Sequence, residues 1–148
     1  MRNDERTPAE HLGVLIKQTQ AVLNQRMDDV LRPLGLGVSQ YACLQALQDE
    51  PGISSSELAR RAFVSRQSMN VLLQGLDRRG LVERAEDPGP RRERAVVLTR
   101  EGVALVPRAR AAVAEVVGAM TDGLAAAELT RLQKRCVRAA TRCRDAVA

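Results

Sequence analysis

The sequence predicts a mainly α-helical fold with one small β-hairpin, on three observations. Apolar residues recur every three or four positions along most of the 148 residues, which is the helical period. Only Tyr41 and Phe63 are aromatic, so the core must consist of Leu, Val, Ala and Met, which favours helices. Two short β-prone runs flank a turn-rich stretch, Asp87–Arg92. The length suits one domain or one subunit of a small oligomer.

Composition excludes several classes of protein. Hydrophobic residues make up 45% and charged residues 28%, ordinary values for a folded chain, so wholesale disorder is excluded. No run approaches the length of a membrane span, and the charged N-terminus leads into no signal peptide, so we expect a cytoplasmic protein without a membrane partner. Three cysteines are an odd number and the cytosol is reducing, so we expect no disulfide framework. Cys43, Cys136 and Cys143 form no close pair, so we expect no zinc site. No phosphate-binding loop or metal pair appears, and we expect no cofactor. A single His, His11, leaves no Ser/His/Asp set, so an enzyme is not expected.

The N-terminal third predicts a tail and two helices. Residues 1–8 are expected to form a loose polar tail. From Ala9 to about Leu34 the apolar residues keep steps of three and four, which indicates one long amphipathic helix. The segment Pro33–Gly37 ends this helix. Ser39 is the predicted cap of a second helix, which stops before Pro51.

The next segment predicts two short helices joined by a tight turn. Ser54 and Glu57 have the spacing of a capping box, which opens the first of them. The chain turns around residues 62–64, and Ser65 caps the second helix. Cations and a glycine end that helix at Arg78–Gly80. Its apolar residues fall at i, i+3, i+4 and i+7: Met69, Leu72, Leu73 and Leu76.

The remaining chain predicts a hairpin and two more helices. Leu81–Ala85 and Ala95–Leu98 are the β-prone runs, and the stretch between them forms a long tip. Thr99 caps a long helix that contains Pro107, and a last helix starts at Ala125. The last helix carries a seam suited to packing against another helix: Leu129, Leu132, Cys136, Ala139 or Ala140, Cys143 and Val147.

The cysteines are expected to differ in environment. Cys43 lies beside Leu44 on a predicted helix and is interpreted as a small buried hydrophobe. Cys136 and Cys143 lie two helical turns apart, about 10.5 Å along the axis, which is beyond the reach of a disulfide within one helix. A symmetric bridge between two subunits stays open.

Two short helices, a tight turn and a basic hairpin together define a winged helix-turn-helix. The apolar stripe of the second helix is expected to pack into the core, and polar side chains lie on the other faces of this helix. Gln and Asn pair bidentately with adenine, Val contacts a thymine methyl, and the helix start offers free amides to a phosphate. The candidate DNA-contacting residues are Ser65, Arg66, Gln67, Ser68, Asn70, Val71 and Gln74 on the second helix, and Arg91, Arg92 and Arg94 on the hairpin.

Positive charge is concentrated in this region. Residues 54–100 hold ten Arg and six Asp or Glu, which accounts for 10 − 6 = +4 of the formal net charge of +5. A minor groove attracts arginines on a protruding hairpin. Arg78 and Arg79 have a structural alternative to DNA contact, because cations at the end of a helix also stabilise the helix.

The chain resembles the MarR family of bacterial transcription regulators over residues 9–147. The Gly-Leu-Val-Glu-Arg and Leu-Thr-Arg-Glu-Gly segments, at this separation around a basic loop, are specific together, whereas either alone would be weak. Two positions depart from the family. Pro90 stands where an Asp commonly steadies the wing arginine, and Val71 occupies a position that is often basic. The segments that carry the resemblance are Glu57–Arg61, Val64–Met69, Leu76–Arg84, and Arg91-Arg92 leading to Val97–Gly102.

The resemblance implies a homodimer that reads a pseudo-palindromic operator in double-stranded DNA. Residues 9–35 and 100–148 would form the dimerisation helices, and residues 36–99 the winged helix-turn-helix. Members of the family often bind small phenolic or lipophilic acids between these parts. The candidates for such an effector pocket are Arg26, Met27 and Tyr41, with core packing as the alternative.

Three functions stay open from the sequence. The first is a ligand-responsive transcription regulator, most often a repressor. The second is a constitutive or architectural DNA binder without an effector. The third is a winged-helix module that binds another protein, whose activity would not depend on Asn70 or Arg92.

Overall fold

The computed structural model describes residues 6–88 and 94–146, and the chain divides into two compact units, Met1–Val116 and Val117–Ala148. The first unit contains a helical bundle and a hairpin, and the second contains the C-terminal helix. In chain order the elements are α1 (Pro8–Leu31), a 3-10 turn (Arg32–Leu34), α2 (Val38–Asp49), α3 (Ser55–Arg61), α4 (Arg66–Arg78), β1 (Val82–Pro88), β2 (Arg94–Leu98), α5 (Arg100–Met120) and α6 (Ala126–Asp145).

Helix α1 begins one residue earlier than the sequence predicts. Thr7 caps it in a capping box, in which the Glu10 carboxylate accepts the Thr7 amide at 2.6 Å. That hydrogen bond holds the pKa of Glu10 below its usual value. The helix also ends earlier than expected, because Pro33 lacks an amide hydrogen and the chain tightens into the 3-10 turn. Gly35, with φ 69°, closes the turn.

Helix α2 corrects one prediction, because Ser39 does not cap it. Gly37 precedes the helix, and its amide donates to Gln40 Oε1 at 3.0 Å. The amide of Val38 donates to Asp28 Oδ1, also at 3.0 Å. A carboxylate on α1 therefore takes the place of a local hydroxyl cap, which a reading of nearby residues could not detect.

The core lies within the first unit and draws on α1 through α5. Tyr41 lies within this core, at 6% exposure. Cys43 is fully buried, as predicted, and desolvation raises the pKa of its thiol to about 12. The largest fully buried side chains are Leu31, Leu44, Leu58, Met69, Leu76 and Val106.

The predicted hairpin is confirmed, with a longer first strand than expected. Strands β1 and β2 pair antiparallel, with Val82 opposite Leu98 and Arg84 opposite Val96. The register shifts between Arg84 and Pro88, so β1 reaches Pro88 rather than ending near residue 85. The predicted tip, including Pro90, Arg91 and Arg92, lies outside the described residues.

The C-terminal helices follow the predicted pattern. Thr99 caps α5, because its hydroxyl accepts the amide of Gly102 at 3.2 Å. Pro107 lies inside α5, and the helix continues past it to Met120. Helix α6 starts after Ala125 and contains no buried residue.

Candidate nucleic-acid interface

Helices α3 and α4 form the predicted pair of short helices. Ser54 caps α3 and Ser65 caps α4, each hydroxyl accepting a backbone amide three residues on at 3.1 Å. The turn between them is held by the amide of Val64, which donates to the carbonyl of Ala59 at 3.0 Å. Phe63 adopts φ 57°, a left-handed conformation that β-carbon-bearing residues rarely adopt. Two side-chain caps and a strained turn thus set the angle between α3 and α4.

Helix α4 presents two opposite faces. Met69, Leu73 and Leu76 are buried, and Leu72 is half-buried against the same core. At about 100° per residue, Gln67, Asn70, Val71 and Gln74 form a second stripe on the far side of the helix. Every predicted contact residue of this helix is exposed: Ser65, Arg66, Gln67, Ser68, Asn70, Val71 and Gln74. The structure therefore brings the predicted polar set together on solvent-facing sides of one rigid helix.

The side chains of the stripe formed by Gln67, Asn70, Val71 and Gln74 are chemically complementary to the edges of DNA bases. Three carboxamides each combine donors and an acceptor, which suits the donor and acceptor pattern of adenine in a major groove. Val71 is 62% exposed, which leaves its methyl groups free to contact a thymine methyl. An α-helix is also the element that fits the width of this groove.

Arg66 stands at the first turn of α4, beside backbone amides that have no partner within the helical hydrogen-bond ladder. Its guanidinium donates to the hydroxyl of Ser56 on α3 at 2.5 Å. Because Ser56 is neutral, the positive charge of Arg66 is not neutralised by this contact. Helix dipole, free amides and guanidinium all favour an anion here.

The arginines of α3 differ from Arg66 because acidic residues accompany them. Arg60 lies 3.0 Å from Glu57, and Arg61 contacts both Glu57 and Glu50. These exposed ion pairs reduce the charge that α3 offers to a phosphate. The positive end of the helix pair is therefore the start of α4.

The structure leaves the predicted wing contacts untested. Arg91 and Arg92 lie outside the described residues. Arg94 starts β2, and only its backbone is described. Strand β1 of the hairpin follows α4 in the chain and contacts it.

The three predicted effector-pocket residues occupy different environments. Tyr41 is in the core, Met27 packs against the core, and Arg26 is exposed at 3.8 Å from Asp29. The described part does contain a cleft of about 40 Å³ between α4 and the hairpin, lined in part by Gln74 and Arg84. This volume holds only a few water molecules, whereas pockets for small organic ligands measure about 300 Å³ or more.

The described residues do not contain a metal site or a membrane-spanning helix. No three His, Cys, Asp or Glu side chains within residues 6–88 and 94–146 are grouped as a metal site requires. None of the described helices has the length and apolar character needed to cross a membrane.

Sequence reasoning missed two residues of this region. Ser56 orients Arg66, and the signal available for it was the run Ser54-Ser55-Ser56 at the start of α3. Phe63 was expected only as part of a turn, but its side chain is 95% exposed in the turn between α3 and α4. Its left-handed conformation follows the end of α3, where the amides of Phe63 and Val64 donate to the carbonyls of Arg60 and Ala59, but the glycine that usually marks such a position is absent here.

The fold and the exposed face of α4 define a winged helix-turn-helix protein. A family model described as the MarR family matches residues 34–93. The HTH-type transcriptional repressor Rv2887 of Mycobacterium tuberculosis is 39% identical over 124 residues, which cover 84% of this chain and 86% of the relative. The chain belongs to the MarR family, whose curated relatives here are transcriptional regulators.

Solved structures of the same relative agree with this assignment. The structure of Rv2887 with salicylic acid matches with a TM-score of 0.72 and 34% identity, and covers 90% of this chain and 97% of the other. The structure of Rv2887 with DNA matches with a TM-score of 0.69 and 33% identity, and covers 90% and 98%. That relative therefore binds both a small aromatic acid and DNA.

Proposed function

We propose that this chain is a homodimeric transcription repressor that binds a pseudo-palindromic site in double-stranded DNA and is released by a small aromatic acid. The observation that carries the proposal is the exposed polar stripe of α4, opposite the buried stripe. A relative of known DNA-binding activity shares this fold over 90% of the chain. A regulator of this kind acts on chromosomal DNA, so we place it in the cytoplasm and assign it no catalytic activity.

Base reading is assigned to the α4 stripe. Gln67 and Asn70 would each pair with an adenine edge, and each good bidentate pair contributes about 1–3 kcal/mol of discrimination. Arg66 and the amides of the helix start would hold a phosphate and set the register. Arg91, Arg92 and Arg94 remain the proposed wing contacts.

Dimerisation is assigned to the terminal helices, because both expose apolar side chains. On α1, Leu12 is 57% exposed and Leu15 is 56% exposed. On α6, Leu132 is 47% exposed and Val137 is 67% exposed. An amphipathic helix is stable in water when its apolar stripe is covered, and a second copy of the chain would cover these stripes. Two copies related by a twofold axis then read two half-sites.

The effector proposal rests on the relative that was solved with salicylic acid. Arg26, Met27 and Tyr41 remain the proposed lining, and Tyr41 would have to be reached through movement of the core or through the partner subunit. Salicylate is therefore the first compound to test.

The test is fluorescence anisotropy with a labelled duplex from upstream of the chain's own gene and a shuffled duplex of equal composition. We expect tight binding to the native duplex alone, with two chains per site. Gln67→Ala should weaken that binding at least about 30-fold, because one base pair in each of the two half-sites loses its partner. Gln48→Ala is the matched control, since Gln48 is an exposed glutamine on α2.

The outcomes separate the alternatives. Equal, steeply salt-dependent binding to both duplexes would support an architectural binder. Specific binding that millimolar salicylate leaves unchanged would remove that effector and favour a constitutive regulator. No binding at low salt would overturn the DNA proposal and favour a protein-binding module.

A further inference from the structure

The segment that follows α4 contacts the end of α1 through one arginine. The guanidinium of Arg79 donates to the carbonyl of Leu34 at 3.2 Å and also to the carbonyl of Gly35. These carbonyls lie at the end of the 3-10 turn that follows α1, where backbone acceptors lack intrahelical partners. A guanidinium fork suits two adjacent acceptors, and its charge complements the negative end of the helix.

Gly35 is favoured at this contact by its backbone conformation. Its φ is 69°, which favours glycine. A Cβ at Gly35 would stand 2.8 Å from Arg79 Nη2, the end of a flexible side chain that can shift to accommodate it. The contact joins residues that are 44 positions apart in the sequence.

The same short segment also contacts the start of α5. The hydroxyl of Thr99 donates to the carbonyl of Gly80 at 2.5 Å, and the amide of Thr99 donates to the carbonyl of Leu81 at 3.1 Å. Gly102 lies against this carbonyl so closely that a Cβ there would stand 2.1 Å from it. The start of α5 is thus packed directly against residues 80–81.

We infer that residues 79–81 form a rigid joint between the recognition helix α4 and the helices α1 and α5, and that Arg79 is a positioning residue that, together with the buried stripe of α4, sets the half-site spacing the dimer accepts. The inference rests on the proposed function, in which α1 takes part in the dimer. In that arrangement the joint holds each recognition helix at one angle to the subunit interface.

Helix α4 is long enough that a small rotation at its C-terminal end displaces its N-terminal end by a distance that matters for the spacing of the two half-sites. Its 13 residues make a rod of about 20 Å, and the joint lies at its C-terminal end. A tilt of about 10° at the joint would move the N-terminal, DNA-reading end by about 3.4 Å, which is the rise of one base pair. A loosened joint would therefore tolerate operators that are one base pair too long or too short.

Arg78 provides a matched control. It precedes Arg79 and carries the same charge, but its Nε donates to the carbonyl of Gln74, one turn back in its own helix. Replacing either arginine by alanine removes one positive charge from the same helix end. A purely electrostatic role in DNA binding would make the two variants behave alike.

The experiment starts with a duplex enriched from a randomised 30-base-pair library by the wild-type protein. Anisotropy titrations then use that duplex and versions lengthened or shortened by one base pair at the centre. We expect Arg79→Ala to weaken binding to the enriched duplex at least about tenfold, because both subunits lose the guanidinium that holds the carbonyls of residues 34 and 35, and to bind all three lengths within about threefold. Arg79→Lys should retain part of the wild-type preference, and Arg78→Ala should keep it in full.

The outcomes are distinct. The inference is overturned if Arg79→Ala keeps the length preference of Arg78→Ala. If Arg79→Ala does not fold, Arg79→Lys replaces it, and an unaltered length preference in that variant overturns the inference. If the wild type enriches no duplex, the proposed function fails and the spacing role fails with it. Hydrogen exchange tests the joint directly. Arg79→Ala should speed exchange of the amides of residues 35–38 relative to Arg78→Ala, and equal exchange rates in the two variants would overturn the inference.

Discussion

Helices α4 and α6 both carry apolar residues at steps of three and four, but their surroundings differ. In α4, Met69, Leu73 and Leu76 are buried. Helix α6 has no buried residue, and Leu132 on its seam is 47% exposed. The two helices show that an amphipathic pattern predicts a face that needs covering but does not name what covers it. The apolar face of α4 is covered by other parts of the same chain, and we propose that the apolar face of α6 is covered by a second copy of the chain.

The largest effect is expected from truncating the buried stripe. Leu76 is 0% exposed, and Leu76→Ala should lower the free energy of unfolding by about 2–5 kcal/mol through lost burial and a cavity. Urea unfolding measures this. Val71→Ala, on the exposed face of the same helix, should change it by less than about 0.5 kcal/mol. Equal losses would show that the buried and exposed faces of α4 contribute equally to the free energy of unfolding.

A charge on the α6 seam should separate the subunits. Leu132→Lys would place an unpaired ammonium in the proposed interface, and we expect the dimer dissociation constant to rise at least about 100-fold. Sedimentation velocity at micromolar concentration measures the change. Thr130→Lys adds the same charge about 160° around the helix and should leave the dimer intact. An unchanged dimer in Leu132→Lys would remove this stripe from the interface.

Cys43 should make the buried region sensitive to alkaline pH. Its folded pKa of about 12 is above the ordinary value of 9.0, so between these values the native state keeps a proton that the unfolded state loses. The free energy of unfolding then falls as pH rises, by about 1.4 kcal/mol per pH unit. We expect the wild type to lose about 1 kcal/mol more than Cys43→Ala between pH 9 and pH 10 in urea unfolding, because the unfolded thiol is already half ionised at pH 9. Parallel losses in both proteins would exclude the thiol as the cause.

The smallest effect concerns the turn before α4. Phe63 combines φ 57° with 95% exposure, so its ring contributes little burial to offset the strain. Glycine removes the Cβ clash at some entropic cost, and Phe63→Gly should raise the free energy of unfolding by about 0.5–1 kcal/mol in thermal unfolding. Phe63→Ala removes the same ring but retains a Cβ, so it should gain less. A fall in stability for Phe63→Gly would indicate that the ring makes a stabilising contact.

Much of the fold and of the α4 face could be predicted because the signals are local. Helix periodicity, the serine caps at Ser54 and Ser65, and the Gly80 stop each depend on residues within one or two turns. The cap of α2 could not be predicted, since Asp28 reaches Val38 from another helix. The contact of Arg79 with residues 34 and 35 escaped prediction for the same reason, because spacing along the chain says nothing about which helix ends meet.

By itself, the sequence determined where the helices run, which faces are apolar and which residues of α4 are available to read DNA. Those properties follow from side-chain chemistry and the helical period, which act over a few residues. The tertiary structure decided that the Asp28 carboxylate caps α2 and that Arg79 and Thr99 hold the end of α4. These outcomes depend on close packing between distant segments, where a fit of a few tenths of an ångström selects one partner among many.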